Sequence, residues 1–401
     1  MKDTRWTRAG IPALLIHCSI GTVYCFSTFK ESIAATIEMD AFSVGWAFSL
    51  AIFFLGMSAA FAGKIVEQNI HKSSLISAIC FSVGMVGTGL TLSFVKGIPA
   101  LMLLYLFYGC IMGIGLGVGY LTPVKTLMLW FSDNKGLATG ISIMGFGLAK
   151  AIATPIMEAL QNSFGISAMF LILGVSYFCF MFLGHIMLKK PAGHVETAPE
   201  KSTFRASAML KNRQFIGIWL IFYINIHCGL MLIPYEKQLL KNTFAESAAL
   251  LLIISIVPSV TAVCNALGRI GYSTLSDHMK DRATIYEIIF ISCVAICGLY
   301  LIGLPAALAI VLLMIINLGY GGGFSTLPAL LESRFGMENV SKIHGLALSA
   351  WAVAGITGNN LSELILTGTK SSYFGVIGVA TALYAVALVI CILTVKKKAE
   401  A

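Results

Sequence analysis

The chain has 401 residues, of which 58% are hydrophobic and only 11% charged, with a mean hydropathy of +0.88. A water-soluble domain carries roughly a quarter charged residues, so this balance excludes one. The net charge of +9 reports topology and contact with anionic lipid rather than nucleic-acid binding.

Apolar runs of about 20 residues recur along the chain, each long enough to cross a hydrocarbon core of about 30 Å as a helix. They predict an all-α membrane protein with twelve spans, at 9–33, 43–66, 73–95, 98–122, 137–160, 165–188, 214–237, 247–273, 284–304, 306–330, 343–367 and 372–395. The first lacks a small-residue cleavage site and is followed by more membrane, so it reads as helix one and not as a signal peptide. In the fourth span, GIGLGVG (113–119) has no strand before it. Close helix packing through small residues accounts for it better than a nucleotide loop does.

Residues 189–213 form the long polar stretch of the chain, KKPAGHVETAPEKSTFRASAMLKNR. Its Pro, Ser, Thr and mixed charge read as a flexible or surface-lying linker. The expected division is a six-helix bundle at 1–188, a cytoplasmic linker at 189–213 and a second bundle at 214–401. Of 27 Lys and Arg residues, 20 fall in segments on the N-terminal side of the membrane and 5 in the opposite loops. That bias predicts a multi-pass protein of the cell membrane with both termini in the cytoplasm. Cys18, Cys25, Cys80, Cys110, Cys264, Cys293 and Cys297 fall within apolar spans and read as small hydrophobes. No metal-ligand spacing occurs among the cysteines, and no metal or cofactor is expected.

The two halves echo each other. The fourth span runs into GVGYLTPVKTLMLWFSDNKGLATGI; the tenth ends GYGGGFSTLPALLESRF, and GLALSAWAVAGITG opens the eleventh. Internal repetition of this kind points to a carrier with its site at the repeat interface.

Arg269 follows LLLIISIVPSVTAVCNAL, a run without charge. An arginine at such a depth costs several kcal/mol unless a partner offsets it. No Asp or Glu is expected at mid-membrane in any span, and a guanidinium is a planar fork matched to a carboxylate. The expected counter-ion is therefore the substrate; an arginine held by helix carbonyls is the competing reading. Asn265, four residues earlier, shares its helix face and either binds substrate or packs. Lys150, in GFGLAKAIATP, lies about 20 Å along span five from its cytoplasmic start, and Arg269 about 12 Å from the inner end of span eight. Lys150 either borders a shared cavity or snorkels to the outer surface. His17 and His227 lie well inside spans and are candidates for proton coupling, or hydrogen-bonded structural residues. Glu363 is too near the outer end of its span to serve that role. No HExxH, G-x-S-x-G or Walker sequence is present, so no enzyme is expected.

The twelve spans, the central linker and GYSTLSDHMKDR (271–282) resemble the major facilitator superfamily over the whole chain. The equivalent loop GKIVEQNIHK (63–72) keeps Gly63 but has Glu67 and Gln68 where an Asp-Arg pair is usual. YLTPVKTLMLWFSDNKGLATGI (120–141) and RFGMENVSKIHGLALSAWAVAGITG (334–358) resemble, more narrowly, the oxalate:formate antiporter family of small-carboxylate carriers. The resemblance implies that Arg269 binds the substrate carboxylate, as an arginine of helix eight does there. Tyr24 and Tyr120 match aromatic positions bordering that site, and Asn265 matches an asparagine of lactate-type relatives. Oxalate carriers place a lysine just after a tryptophan of helix eleven. Trp351 matches the tryptophan, but Ala352, Val353 and Ala354 follow, which argues against simple oxalate transport. Trp351 either closes the pocket or packs.

These readings predict a secondary active carrier of small organic anions, a monocarboxylate of the lactate, pyruvate or formate type, acting as a monomer in lipid with a proton or counter-anion. An oxalate or dicarboxylate:formate exchanger is the alternative. It would use Lys150 as the second cation in place of the lysine missing from helix eleven. A carboxylate sensor on a carrier fold is a further alternative, expected to carry a longer signalling tail than KKKAEA. A channel is disfavoured by the two-halves architecture.

Overall fold

The computed structural model describes residues 2–191, 205–244, 248–303, 307–368 and 373–396. Residues 192–204 of the expected linker lie outside them, as does the chain beyond Lys396. The described residues form helices and contain no strand.

In chain order the long helices are α1 (Trp6–Ile37), α2 (Ala41–Gln68), α3 (Ile70–Phe94) and α4 (Gly97–Trp130). The 53-residue stretch Lys135–Met187 is broken at Gly165, whose φ of +82° suits a residue without a Cβ. It therefore supplies two crossings, α5 (135–164) and α6 (166–187). Then come α7 (Arg213–Thr243), α8 (Ala248–Asp277), α9 (Thr284–Leu301), α10 (Ala307–Phe335), α11 (Val340–Gly368) and α12 (Tyr373–Val395). Ten described stretches meet the length and hydropathy of a crossing. The broken stretch counts twice, and α11, whose polar residues include Lys342, His344, Asn359, Asn360 and Glu363, packs against α2 and α7 as the remaining span.

Short polar residues start several helices. Asp40 accepts from the Ser43 amide (2.7 Å), Asn69 from Lys72 (2.8 Å) and Asn212 from Phe215 (3.0 Å). Each satisfies a donor the helix itself leaves free. The glycine run 113–119 lies on α4, where it meets α2 at Ala51 and Leu55 and α3 at Ser77 and Phe81. All ten cysteines are unpaired.

The first six helices meet the last six mainly through α2 against α11 and α5 against α8. At the end that carries the termini the two sets are locked together. Asp277, at the end of α8, accepts from the Gly136 and Leu137 amides at the start of α5 (2.8 and 2.9 Å) and pairs with Arg282 (2.8 Å). Glu67, at the end of α2, accepts from the Ser341 amide at the start of α11 (3.0 Å) and pairs with Lys125 (3.1 Å). Each acid thus sits on the positive end of a helix belonging to the other set. Glu67 does this work although its loop departs from the usual sequence. Lys135 pairs with Glu332 (2.6 Å), Lys125 donates to the Met337 carbonyl (2.9 Å), and Thr139 donates to that of Ser325 (2.7 Å).

Candidate functional site: a cavity above a buried arginine

The opposite end is open. A cavity of about 290 Å³ descends between the two sets of helices, lined at its mouth by Lys30, Glu31, Phe42 and Glu363. Deeper, its walls include Tyr24, Gly147, Lys150, Glu236, Asn265 and Tyr320. At the floor the Tyr24 and Tyr320 hydroxyls bond to each other (2.8 Å), joining α1 to α10.

Arg269 lies directly beneath. It is 1% exposed and is not part of the lining. Its Nε donates to Asn265 Oδ1 (2.8 Å) one turn earlier on α8, and Nη1 donates to the Ile143 carbonyl of α5 (3.2 Å). The guanidinium carbon stands 5.7 Å from the Phe146 ring centre and 5.3 Å from that of Phe324. Both rings offer a favourable face to a cation. Nη2 has no partner, and among the described residues no carboxylate pairs with Arg269. Gly147 makes room for it, since a Cβ there would lie 2.8 Å from Nε.

Around the guanidinium is a closed aromatic layer. The Tyr120 ring lies 5.6 Å from Phe146 and 5.5 Å from Trp351, and Trp351 lies 4.4 Å from Phe324. The Tyr120 hydroxyl and Trp351 Nε1 are buried without partners, as is His344 Nε2. Buried polar atoms ordinarily have a partner, so unused donors beside a guanidinium mark a place prepared for an acceptor. The Tyr24 and Tyr120 hydroxyls stand close against the guanidinium without reaching hydrogen-bond geometry to it, and Tyr320 lies within its electrostatic reach.

The structure thus divides the sequence candidates. Tyr24, Asn265 and Lys150 line the cavity, whereas Arg269, Tyr120 and Trp351 form the packed layer below it. Asn265 orients Arg269 by spending its amide oxygen on Nε. Lys150 is on the cavity wall and does not snorkel away from it; it stands three residues, about 4.5 Å, above Gly147 on α5. His17 and His227 are not in the lining. His17 holds α1 to α4 and α5, its ring facing the Tyr120 carbonyl (3.1 Å) and that of Ser142. His227 faces Thr357 Oγ1 of α11 (2.8 Å).

Glu236, near the outer end of the seventh span and not at mid-membrane, also borders the cavity, a carboxylate the sequence did not single out. Helix α7 tightens over Ile233–Tyr235, at Pro234, and resumes at Glu236, which is 4% exposed in the cavity wall. Its oxygens accept from Asn317 Nδ2 (2.7 Å) and Thr261 Oγ1 (2.9 Å). Tyr320, Phe146, Phe324 and His344 are likewise site residues that the sequence reading did not single out. Their signal in the sequence was weak, for each sits in an apolar or glycine-rich run.

A family model described as Major Facilitator Superfamily matches residues 13–359. The oxalate:formate antiporter of Oxalobacter formigenes is 24% identical, the match covering 92% of this chain and 86% of that protein. Apicoplast pyruvate carrier 1 of Toxoplasma gondii is 22% identical over 86% of this chain and 81% of its own length. Among solved structures, the major facilitator superfamily transporter FucP in its outward conformation superposes with a TM-score of 0.69 at 12% identity, covering 96% of this chain and 99% of that one.

Proposed function

Because the chain belongs to the major facilitator superfamily, we propose that it is a secondary carrier of small organic anions, monocarboxylates of the lactate, pyruvate or formate type, working by alternating access. One observation carries this reading: a guanidinium sealed in an aromatic layer, with Nη2 unpartnered and no carboxylate paired to it among the described residues. A charge so placed is costly until an anion arrives. The substrate carboxylate descends the cavity, parts the Tyr24–Tyr320 bond and accepts from Nη2, with the Tyr120 hydroxyl and Trp351 Nε1 as neutral donors beside it. Neutralising Arg269 then lowers the cost of closing the cavity above the substrate, while the latches at Asp277 and Glu67 release the other end. With both termini in the cytoplasm, as the lysine and arginine distribution implies, the conformation seen here faces outward. The relatives that carry oxalate, formate and pyruvate support the substrate class.

Lys150 on the cavity wall favours a second reading, a carrier of dianions such as oxalate in exchange for formate. Uptake of labelled formate, lactate, pyruvate and oxalate into proteoliposomes, with and without a pH gradient, tests both. Saturable uptake of a monocarboxylate, inhibited by its congeners, is expected; uptake of oxalate alone selects the second reading, and no uptake of any acid rejects both. Loss of gradient stimulation in His17→Gln or His227→Gln would assign a proton relay to that residue.

A further inference from the structure

We infer that Glu236 sets the charge class of the substrate: its carboxylate cancels Lys150 across the cavity, leaving Arg269 as the one uncompensated cation, so the site accepts a monoanion and rejects a dianion. The inference deepens the carrier reading and rests on it.

Three charged side chains stand in the deep part of the site, at different heights. Arg269 is below the floor. Lys150, on α5, stands about 4.5 Å above the level of Gly147, which touches the arginine. Glu236, on α7, is tied to Thr261, eight residues or about 12 Å above Arg269 along α8. It is also tied to Asn317 on α10, whose own amide nitrogen is further bound to the Leu313 carbonyl (3.0 Å). Asn317 and Thr261 thus offer Glu236 neutral donors, one to each of its oxygens, an arrangement that suits an ionised carboxylate. The cation that acts on it is Lys150, from the opposite set of helices. The two make no direct ion pair in this open conformation. They face each other across the space through which the substrate passes. Lys30, Glu31 and Glu363 complete the charged groups of the cavity and lie at its mouth, where water screens them.

The count of deep charges is then two cations and one anion. A bound monoanion leaves no net charge in the closed site, whereas a dianion leaves a surplus negative charge in low dielectric. Without Glu236 the count becomes two cations, which suits a dianion. Without Lys150 it becomes zero, which suits neither.

The test compares purified wild type, Glu236→Gln, Lys150→Ala and the double variant. The readout is the concentration of formate, lactate, oxalate or malonate giving half-maximal protection against thermal unfolding. Wild type is expected to favour the monoanions. Glu236→Gln should shift the dianion-to-monoanion preference towards dianions by about ten-fold or more, the effect of one buried unit charge. Adding Lys150→Ala to it should return the wild-type preference. Lys150→Ala alone should weaken monoanion protection by about ten-fold, because Glu236 is then unopposed. Should Glu236→Gln not fold, this last variant decides, since unchanged monoanion protection in it overturns the inference. So does an unchanged preference in Glu236→Gln, or a shift that survives in the double variant. Absence of protection of the wild type by any of the four acids rejects the carrier reading and this inference together, whereas protection with an unchanged preference rejects the inference alone.

Discussion

Replacing Arg269 by alanine should separate stability from binding in an unusual way. The guanidinium loses several kcal/mol of hydration on burial. It recovers about 1.5–3 kcal/mol from each of two hydrogen bonds, to Asn265 and Ile143. It gains on the order of 0.5–2 kcal/mol from each of the Phe146 and Phe324 rings. These contributions oppose one another, and among the described residues no carboxylate would be left orphaned by the substitution. Arg269→Ala should therefore unfold within a few degrees of the wild type in the absence of substrate. A structural arginine paired to a buried acid would instead cost about 3–5 kcal/mol when removed. Binding should behave oppositely. Removing one partner of a buried charge pair costs about 2–5 kcal/mol, or roughly 30- to several-thousand-fold in Kd. Arg269→Lys keeps the charge but loses the fork and the Asn265 bond, so it should fall between. The assay is thermal unfolding of the purified variants across a formate, lactate and pyruvate series. A strongly destabilised Arg269→Ala that is still protected by carboxylates as well as the wild type would refute the reasoning.

Tyr320→Phe removes the floor bond to Tyr24 (2.8 Å), worth about 1 kcal/mol, so monocarboxylate affinity should hold or tighten by up to about five-fold. Weakening by more than about 30-fold would make the phenols ligands and not a floor. Asp277→Asn loses charge-assisted bonds to the start of α5 and the Arg282 pair, worth about 1.5–3 kcal/mol each. Spin-label distances across the cavity mouth should shorten as the population moves inward-facing, and an unchanged distribution would count against the latch. Gly147→Ala puts a Cβ 2.8 Å from Arg269 Nε, and overpacking of that kind typically costs about 1–3 kcal/mol. Substrate protection should drop without loss of membrane insertion; full protection would show that the guanidinium can move freely.

Much of this was legible in the sequence because membrane insertion imposes coarse rules. Long apolar runs located the spans, and an arginine inside one marked the candidate site, since the bilayer makes such a charge conspicuous. Where side chains point was less legible. Lys150 was open to two readings because a sequence does not fix the rotation of α5; the packing of α5 on α8 turns it to the cavity. Glu236 was missed because it falls at the end of an apolar run, where a carboxylate reads as an interface residue. The tightened turn at Ile233–Tyr235 redirects it inward. Phe146, Phe324 and Tyr320 were invisible among other apolar residues, as their role depends on converging from α5 and α10. The placement of Arg269 below a tyrosine floor, and not in the open cavity, is a property of one conformation and has no signature in residue spacing. Glu67 shows the converse: a loop that departs from its expected pattern still caps the facing helix, because a carboxylate at that height is all the contact requires.

The central claim is that a substrate carboxylate is the missing counter-ion of Arg269. A cryo-electron microscopy map of the chain with a saturating transported monocarboxylate tests it most directly. The account expects the carboxylate within about 3 Å of Arg269 Nη2, with the Tyr24 and Tyr320 hydroxyls parted and Tyr120 or Trp351 donating to it. A carboxylate held in the upper cavity against Lys150, with the tyrosine floor intact and Nη2 still unpartnered, would contradict it.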